Sequence, residues 1–119
     1  MMQKNNFKAV CFGEVLWDVF PSHKKIGGAP LNVALRMNSL GLATTIISRI
    51  GKDEDGDDIV SFLKDQKVSS DSIQVGEDYK TGVVNVMINE KGNNYYDIMY
   101  PSSWDKIALT NEMIEKVSE

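Results

Sequence analysis

The string Gly27-Gly28-Ala29-Pro30-Leu31-Asn32 combines residue types that suit a small-ligand site. Glycine has no Cβ atom, so the backbone can adopt a positive φ and a ligand can approach it closely. Pro30 favours the first turn of a helix, and the amide of Asn32 in that turn can both donate and accept hydrogen bonds. Free backbone N–H groups and the helix dipole favour polar, hydroxyl-rich or anionic ligands there. On this string alone, an ordinary turn before a helix stays an open alternative.

The flanking sequence predicts a strand, helix, strand unit that would position this string. Residues 9–12 form a short apolar run ended by Gly13, which indicates a strand buried on both faces. Residues 30–40 have the apolar pattern of a helix, and residues 44–50 are β-branched and strand-like. In right-handed βαβ units, ligands collect at the carboxyl ends of the strands. Residues 14–18 and the two glycines are expected at that position.

The sequence changes character near residue 70, where short strands replace long helical patterns. Residues 57–67 predict a second helix, and residues 72–75, 81–88 and 94–100 predict strands. The turn at 89–93 places Gly92 where a hairpin needs positive φ. We therefore expect three parts: residues 1–72 in an α/β layer, residues 73–104 in a small antiparallel β lid, and residues 105–119 as a return helix capped by Thr110 or Asn111.

Composition restricts the function classes that the chain can serve. The 119 residues are 42% hydrophobic and 25% charged, which is ordinary for one folded domain. Thirteen basic and seventeen acidic residues give a net charge of −4 without a basic run, so we expect no nucleic-acid partner. No apolar run has membrane-spanning length and no signal-peptide pattern is present, so we expect a cytoplasmic protein without a membrane partner. The single cysteine, Cys11, is expected in the core as an unreactive thiol.

Several motifs that would indicate other chemistry fail on inspection. Residues 52–58 resemble a calcium loop, but Asp58 stands where glycine is required and Lys64 stands where the closing glutamate is required. Neither G-x-G-x-x-G nor the Walker-type phosphate loop occurs, which disfavours a nucleotide-binding domain of the dehydrogenase type. His23 has no cysteine or second histidine at ligand spacing, so no metal site is predicted there.

Four segments together resemble the N-terminal part of the PfkB-type, or ribokinase-like, carbohydrate kinase family, and within it the fructokinase branch. They are residues 13–21, residues 27–34 with Leu40-Gly41, residues 49–56, and residues 81–84 with the hairpin to Tyr100. The resemblance covers nearly the whole chain. It implies an α/β fold in which a Rossmann-like βαβ layer carries a small antiparallel β lid, with the C-terminal half of the family fold absent.

The resemblance also implies an activity and a set of sugar-binding residues. The family transfers the γ-phosphoryl group of ATP to a primary hydroxyl of a sugar, here ATP plus fructose giving fructose 6-phosphate plus ADP. The substrate-binding residues implied are Asp18, Gly27, Gly28, Asn32 and Tyr100. A carboxylate such as Asp18 can accept from two neighbouring hydroxyls and orient the sugar. The alternatives are that Asp18 is an ordinary strand-end carboxylate and that Tyr100 packs in the core of the lid.

The family's second signature, D-T-x-G-A-G-D, does not occur in this chain. Because that stretch supplies the anion hole and the catalytic base, we expect no catalytic, cofactor-binding or metal-binding residue here, and we interpret the chain as an N-terminal fragment. ATP and Mg²⁺ are expected for the full-length enzyme and neither is expected on this chain. Kinases for 2-keto-3-deoxygluconate, ribose or a nucleoside stay open, as does a non-catalytic sugar-binding or dimerisation module. A homodimer through the β lid is a further expectation.

Overall fold

The protein is represented by a computed structural model, which describes residues 8–118. Two sheets and three helices account for most of this range. In chain order the elements are β1 (Lys8–Phe12), β2 (Leu16–Val19), β3 (Lys24–Gly27), α1 (Ala29–Ser39), β4 (Ala43–Gly51), α2 (Glu54–Asp65), β5 (Ile73–Gly76), β6 (Gly82–Ile88), β7 (Asn94–Ile98), a 3₁₀ turn (Ser103–Lys106) and α3 (Asn111–Ser118). The predicted α/β class is confirmed.

The three-stranded sheet has the order β1-β4-β5 and is parallel throughout. Between β1 and β4 the chain forms β2, β3 and then α1, so the predicted strand, helix, strand unit is present with two further strands before its helix. Its apolar side chains Leu31 and Ala34 are fully buried, and Gly41 ends it with φ of 88°. The polar residues Asn32, Arg36 and Ser39 of α1 are exposed. The main core therefore lies between this sheet and the apolar faces of its helices. That core contains Cys11, Val15, Trp17, Leu31, Ala34, Ile46, Ile50, Ile59, Leu63, Val68 and Ile73.

The expectation that β1 is buried on both faces is wrong for the described residues. Only Cys11 of β1 is buried, whereas Phe12 is 59% exposed and Val10 is 40% exposed. Successive side chains of a strand point to opposite faces, so Cys11 lies on the face of β1 that is covered and Val10 and Phe12 lie on the face that is exposed. Cys11 does lie in the core as expected, and burial raises the pKa of its thiol.

The four-stranded sheet has the order β3-β2-β6-β7. Strands β6 and β7 form the predicted hairpin, and Gly92 in its turn has φ of 79°. Residues 16–27 contain β2 and β3, with β2 parallel to β6 and antiparallel to β3. Neither strand was predicted from periodicity, because both are too short to show a clear alternation, and the pairing of β2 with β6 depends on residues about 65 positions away along the chain.

Two further boundaries differ from the sequence-based ones. Strand β5 pairs with β4 in the three-stranded sheet, whereas the predicted lid began at residue 73. Helix α2 begins at Glu54 rather than residue 57, because Asp53 acts as its N-cap by accepting a hydrogen bond from Gly56 N at 2.8 Å. Helix α3 is capped by Thr110, whose Oγ1 accepts from Met113 N, and none of its residues is buried.

Candidate functional site

Asp18 lies in β2, with Lys25 of β3 opposite on one side and Val84 of β6 on the other. Its Oδ2 atom is only 2.5 Å from the position that a Cβ on Gly27 would occupy. Among residues 8–118, nothing donates a hydrogen bond to this carboxylate or forms an ion pair with it. The structure therefore places a partly exposed carboxylate, with its acceptor capacity free, directly over the first glycine of the Gly-Gly pair.

The two glycines are required by close approach of the chain to itself. Gly28 has φ of 103°, and a Cβ there would lie 2.5 Å from the carbonyl oxygen of Glu14. Gly27 has no strained φ, but a Cβ there would meet the Asp18 carboxylate and Leu16. We expected the glycines to make room for a ligand, and the structure shows that they first make room for Asp18 and Glu14. The Asp18 carboxylate, which lies against Gly27, consequently borders the start of α1.

Asn32 lies one turn into α1 and its backbone N donates to Gly28 O at 3.0 Å. Its amide side chain is exposed and has no hydrogen-bond partner within residues 8–118. Gly28, the N-cap of α1, provides no side-chain cap, so the N–H groups of the first turn are not satisfied by a side chain. The consecutive elements β2, β3 and the start of α1 thus carry four of the predicted residues: Asp18, Gly27, Gly28 and Asn32.

Tyr100 follows β7 and is 78% exposed. The alternative that it packs in the core of the lid is therefore wrong for this structure. Within the described part of the chain, Tyr100 makes no hydrogen bond or ring contact with the other four predicted residues. The structure does not bring it into the group that Asp18 and the glycines form.

An open cavity of about 460 Å³ borders this group on the side of β1. Gly13 and Glu14 contribute to it from the β1 end, Pro30 from the start of α1, and Trp104 from the 3₁₀ turn. Trp104 also packs over Gly82, where a Cβ would lie 2.7 Å from the indole Cδ1. The cavity combines an aromatic ring with carboxylates, which are groups that suit a polyhydroxylated ligand. Its lining residues are Phe12, Gly13, Glu14, Pro30, Trp104, Asp105 and Ile107.

A hydrogen-bonded cluster joins the two sheets and was missed in the sequence. Asp53 Oδ1 accepts from Thr81 Oγ1 at 2.6 Å and from Gly56 N at 2.8 Å, and its Oδ2 accepts from Thr81 N at 2.9 Å. Thr81 Oγ1 in turn accepts from Gly51 N at 2.9 Å. Burial acts to raise the pKa of Asp53, but the hydrogen bonds from Thr81 and Gly56 outweigh it, so the pKa lies below its ordinary value. The available signal was an aspartate at N-cap spacing before Gly56.

A second set of contacts joins the four-stranded sheet to helix α2, and its ion pairs are more exposed. Trp17 of β2 donates from Nε1 to Asp55 O at 2.9 Å, and Lys24 Nζ lies 4.4 Å from the centre of the Trp17 ring. Lys24 also forms ion pairs with Asp58 at 2.5 Å and Asp55 at 3.3 Å. The hydrogen bond to Asp58 is the largest cause of a raised Lys24 pKa. Solvent screening keeps the energy of such an exposed pair small.

Across residues 8–118, no three or more His, Cys, Asp or Glu side chains are arranged to hold a metal ion. No helix in the same range has both the length and the apolar character needed to cross a membrane. His23 stacks on Phe20 in the β2–β3 turn, with its ring centroid 4.6 Å away, so it lies in a loop as expected.

Comparison with known proteins shows similarity to carbohydrate kinases. The model of the pfkB family carbohydrate kinases matches residues 3–113. The Arabidopsis thaliana protein named "Probable fructokinase-6, chloroplastic" is 29% identical over 116 residues, covering 87% of this chain and 30% of that protein. The Solanum tuberosum fructokinase is 27% identical over 116 residues, covering 87% of this chain and 36% of that protein.

Solved structures show the same relationship. Fructokinase from Vibrio cholerae O395 in its apo form superposes with a TM-score of 0.77 at 25% identity, covering 84% of this chain and 36% of that one. Fructokinase from Xylella fastidiosa with bound ATP superposes with a TM-score of 0.74 at 29% identity, covering 82% and 32%. The fold is thus the N-terminal part of a ribokinase-like structure, and the chain spans about a third of the length of the curated relatives it matches.

Proposed function

The chain belongs to the pfkB family of carbohydrate kinases, and on that premise we propose that it forms the sugar-binding part of a fructokinase. The whole enzyme would convert ATP and fructose to ADP and fructose 6-phosphate. The observation that carries the proposal is the Asp18 carboxylate, which stands over Gly27 with its acceptor capacity free. Relatives named as fructokinases support the choice of sugar.

In this proposal the residues of the chain bind and orient the sugar. Asp18 accepts from two neighbouring hydroxyls, while the first-turn N–H groups of α1 and the amide of Asn32 supply donors on the other side. Holding the reacting hydroxyl in one place is a large part of what phosphoryl transfer requires from a protein. Tyr100 is proposed as a lid residue over the apolar face of the sugar, and it must approach the site from its exposed position.

ATP and Mg²⁺ would act in the whole enzyme, as the Xylella fastidiosa fructokinase with bound ATP suggests. The described residues do not fit Mg²⁺. No metal-binding group is formed among residues 8–118, and Asp53, Asp55 and Asp58 are engaged by hydrogen bonds and ion pairs within the chain. We therefore assign no catalytic base in this chain, and a coupled assay with ATP, magnesium and fructose should stay at background.

Calorimetric titration tests the sugar site directly. We expect the chain to bind fructose and Asp18→Ala to lose about 2–4 kcal/mol of binding free energy, because two charge-assisted hydrogen bonds disappear. Asp97→Ala is the matched control, since Asp97 lies exposed on the opposite face of the same sheet. Titrations with ribose, 2-keto-3-deoxygluconate and a nucleoside in parallel decide among the alternative substrates. Equal affinity of the Asp18→Ala and Asp97→Ala variants would overturn the proposal.

We also propose that two copies of the chain associate through the four-stranded sheet. Strand β7 is an edge strand whose five residues are all exposed, and Tyr96 and Ile98 are 63% and 58% exposed. An open edge with apolar side chains can pair with its own copy in a two-fold contact. Val84 and Val86 of the same sheet are buried within the chain itself and offer no surface to a second copy. The residues available for contact are therefore Ile88, Tyr96 and Ile98.

A further inference from the structure

Asp53 makes more hydrogen bonds than an N-cap needs. A cap requires one side-chain acceptor for the first turn of its helix, which Asp53 Oδ1 provides for Gly56 N. The same carboxylate also accepts from the backbone N and the Oγ1 of Thr81, 28 residues later in the chain. Both oxygens are thus engaged, and two of the three donors belong to the residue that immediately precedes β6.

The surroundings of this carboxylate leave little room for another arrangement. Thr81 is 1% exposed, and its Oγ1 bridges Gly51 N and Asp53. A Cβ on Gly51 would lie 2.6 Å from Asp53 Oδ2 and 2.7 Å from Thr81 N, while a Cβ on Gly56 would lie 2.9 Å from Thr81 Oγ1. The two glycines therefore allow the end of β4 and the start of α2 to close around the Thr81 side chain.

The pairing of the strands extends this contact toward the sugar-binding group. Gly82, the residue after Thr81, pairs with Leu16, and Val84 pairs with Asp18. The start of β6 thus fixes the register and position of β2. A shift of Thr81 away from Asp53 would move the strand on which Asp18 lies, relative to Gly27 and the start of α1.

We propose that Asp53 is a positioning residue, which holds the start of β6 against the three-stranded sheet and thereby places the Asp18 carboxylate beside Gly27 and Gly28. This inference rests on the proposed function for its consequence, since sugar affinity depends on where Asp18 lies. The anchoring itself does not depend on the sugar. A residue that acted only as the N-cap would stabilise α2 and leave β6 and β2 unaffected.

Variants of both partners separate these two roles. Asp53→Ser keeps a good N-cap acceptor for Gly56 N but is too short to reach Thr81 as well. Thr81→Val removes the hydroxyl at nearly constant shape, and Thr81→Ser restores the hydroxyl as the rescue variant. Thr110→Ala is the matched control, because Thr110 caps α3 in the same way without touching the four-stranded sheet.

Amide hydrogen exchange on the ligand-free chain provides the deciding measurement. We expect Asp53→Ser and Thr81→Val each to accelerate exchange in the paired amides of β6 and β2 by at least about tenfold, with the β4 amides unchanged except Gly51 N, which loses its acceptor in Thr81→Val. The double variant should accelerate exchange by less than the two single effects combined, because both variants remove the hydrogen bond between the Asp53 carboxylate and Thr81 Oγ1. Thr81→Ser should restore the slow exchange, and Thr110→Ala should leave it unaltered. Faster exchange confined to the first turn of α2, a uniform increase across β4, or additive effects would overturn the proposal.

A fructose titration of the same variants then links the anchor to the site. Asp53→Ser and Thr81→Val should weaken fructose binding by about tenfold, Thr81→Ser should recover it, and Thr110→Ala should match the unmodified chain. If the exchange results hold and the variants bind fructose as tightly as the unmodified chain, Asp53 anchors β6 without positioning Asp18, and the inference fails. If the unmodified chain itself binds no fructose, the proposed function fails, and the exchange result still decides whether Asp53 holds β6.

Discussion

The three-stranded and four-stranded sheets differ in how their strands are buried. In the three-stranded sheet, Ile46 and Ile50 of β4 are almost fully buried between α1 and α2. In the four-stranded sheet, every residue of β7 is exposed, whereas Trp17 of β2 belongs to the main core and the partly buried Val19 and Ile26 pack against it. The predicted sugar-binding carboxylate lies on the less buried sheet, while the glycines and Asn32 lead into the more buried one. The proposed site is therefore formed where the more buried three-stranded sheet meets the more exposed four-stranded sheet.

The position of the site on this boundary explains why the junction contacts matter. Leu16, Trp17, Val84 and Val86 of the four-stranded sheet are buried, but of these only Trp17 belongs to the main core. Polar contacts at the junction therefore also hold the sheet in place, chiefly those of Asp53 with Thr81 and of Trp17 and Lys24 with α2. Such regions open locally at lower free energy than the core of the same protein.

The largest expected effect separates the two sheets by stability. Ile46→Ala should lower the free energy of unfolding by about 2–5 kcal/mol, because it leaves a cavity in the fully buried core. Tyr96→Ala, at an exposed position of β7, should change it by no more than about 0.5 kcal/mol. Urea denaturation followed by circular dichroism measures both. Similar losses for the two variants would mean that the four-stranded sheet is as strongly packed as the core.

The next effect concerns association through the four-stranded sheet. Ile88→Lys combined with Ile98→Glu should shift the chain toward monomer in sedimentation velocity, because it places charge on an exposed apolar face. Val84→Lys with Val86→Glu is the comparison, since those valines are 7% and 4% exposed and a charge there would be buried without a partner. We expect that pair to unfold the sheet. An unchanged association state in the first variant would remove the sheet as the interface.

The smallest effect is a pH dependence at the junction. The pKa of Asp53 in the folded chain lies below its ordinary value of 3.8, so its carboxylate contributes stability above about pH 4 and loses that contribution as the pH falls through the lower, folded-state pKa. Asp53→Asn should therefore be less stable than the unmodified chain at pH 7, and the difference should shrink below pH 4. Thr81→Val should weaken the same dependence, because it removes one of the hydrogen bonds that lower the pKa. A difference that stays constant from pH 7 to pH 3 would contradict this assignment.

The sequence was sufficient for the elements whose signals are local. The helix start at Pro30, its end at Gly41 and the hairpin turn at Gly92 all follow from residue types with strong conformational preferences, and the structure has them in place. The family was also recognisable from its motifs, and the match to residues 3–113 confirms it.

The sequence was insufficient where structure depends on distant partners. Strand β2 pairs with β6 on one side and with β3 on the other, and nothing within residues 16–27 alone indicates the pairing with β6. The link between Asp53 and Thr81 spans 28 residues, so spacing could show the N-cap and not the second partner. The exposure of Tyr100 likewise depends on where the chain runs after β7.

Mapping the fructose site by backbone amide chemical shifts tests the central claim most directly. The account predicts that fructose shifts the amide signals of Asp18, Gly27, Gly28 and Asn32, and that Asp18→Ala abolishes these shifts while Asp97→Ala retains them. It predicts no shifts near residues 71–74 and 110–113, where a separate small cavity lies beside β5 and α3. Shifts confined to that cavity, or unchanged shifts in the Asp18→Ala variant, would contradict a sugar site at the boundary of the two sheets.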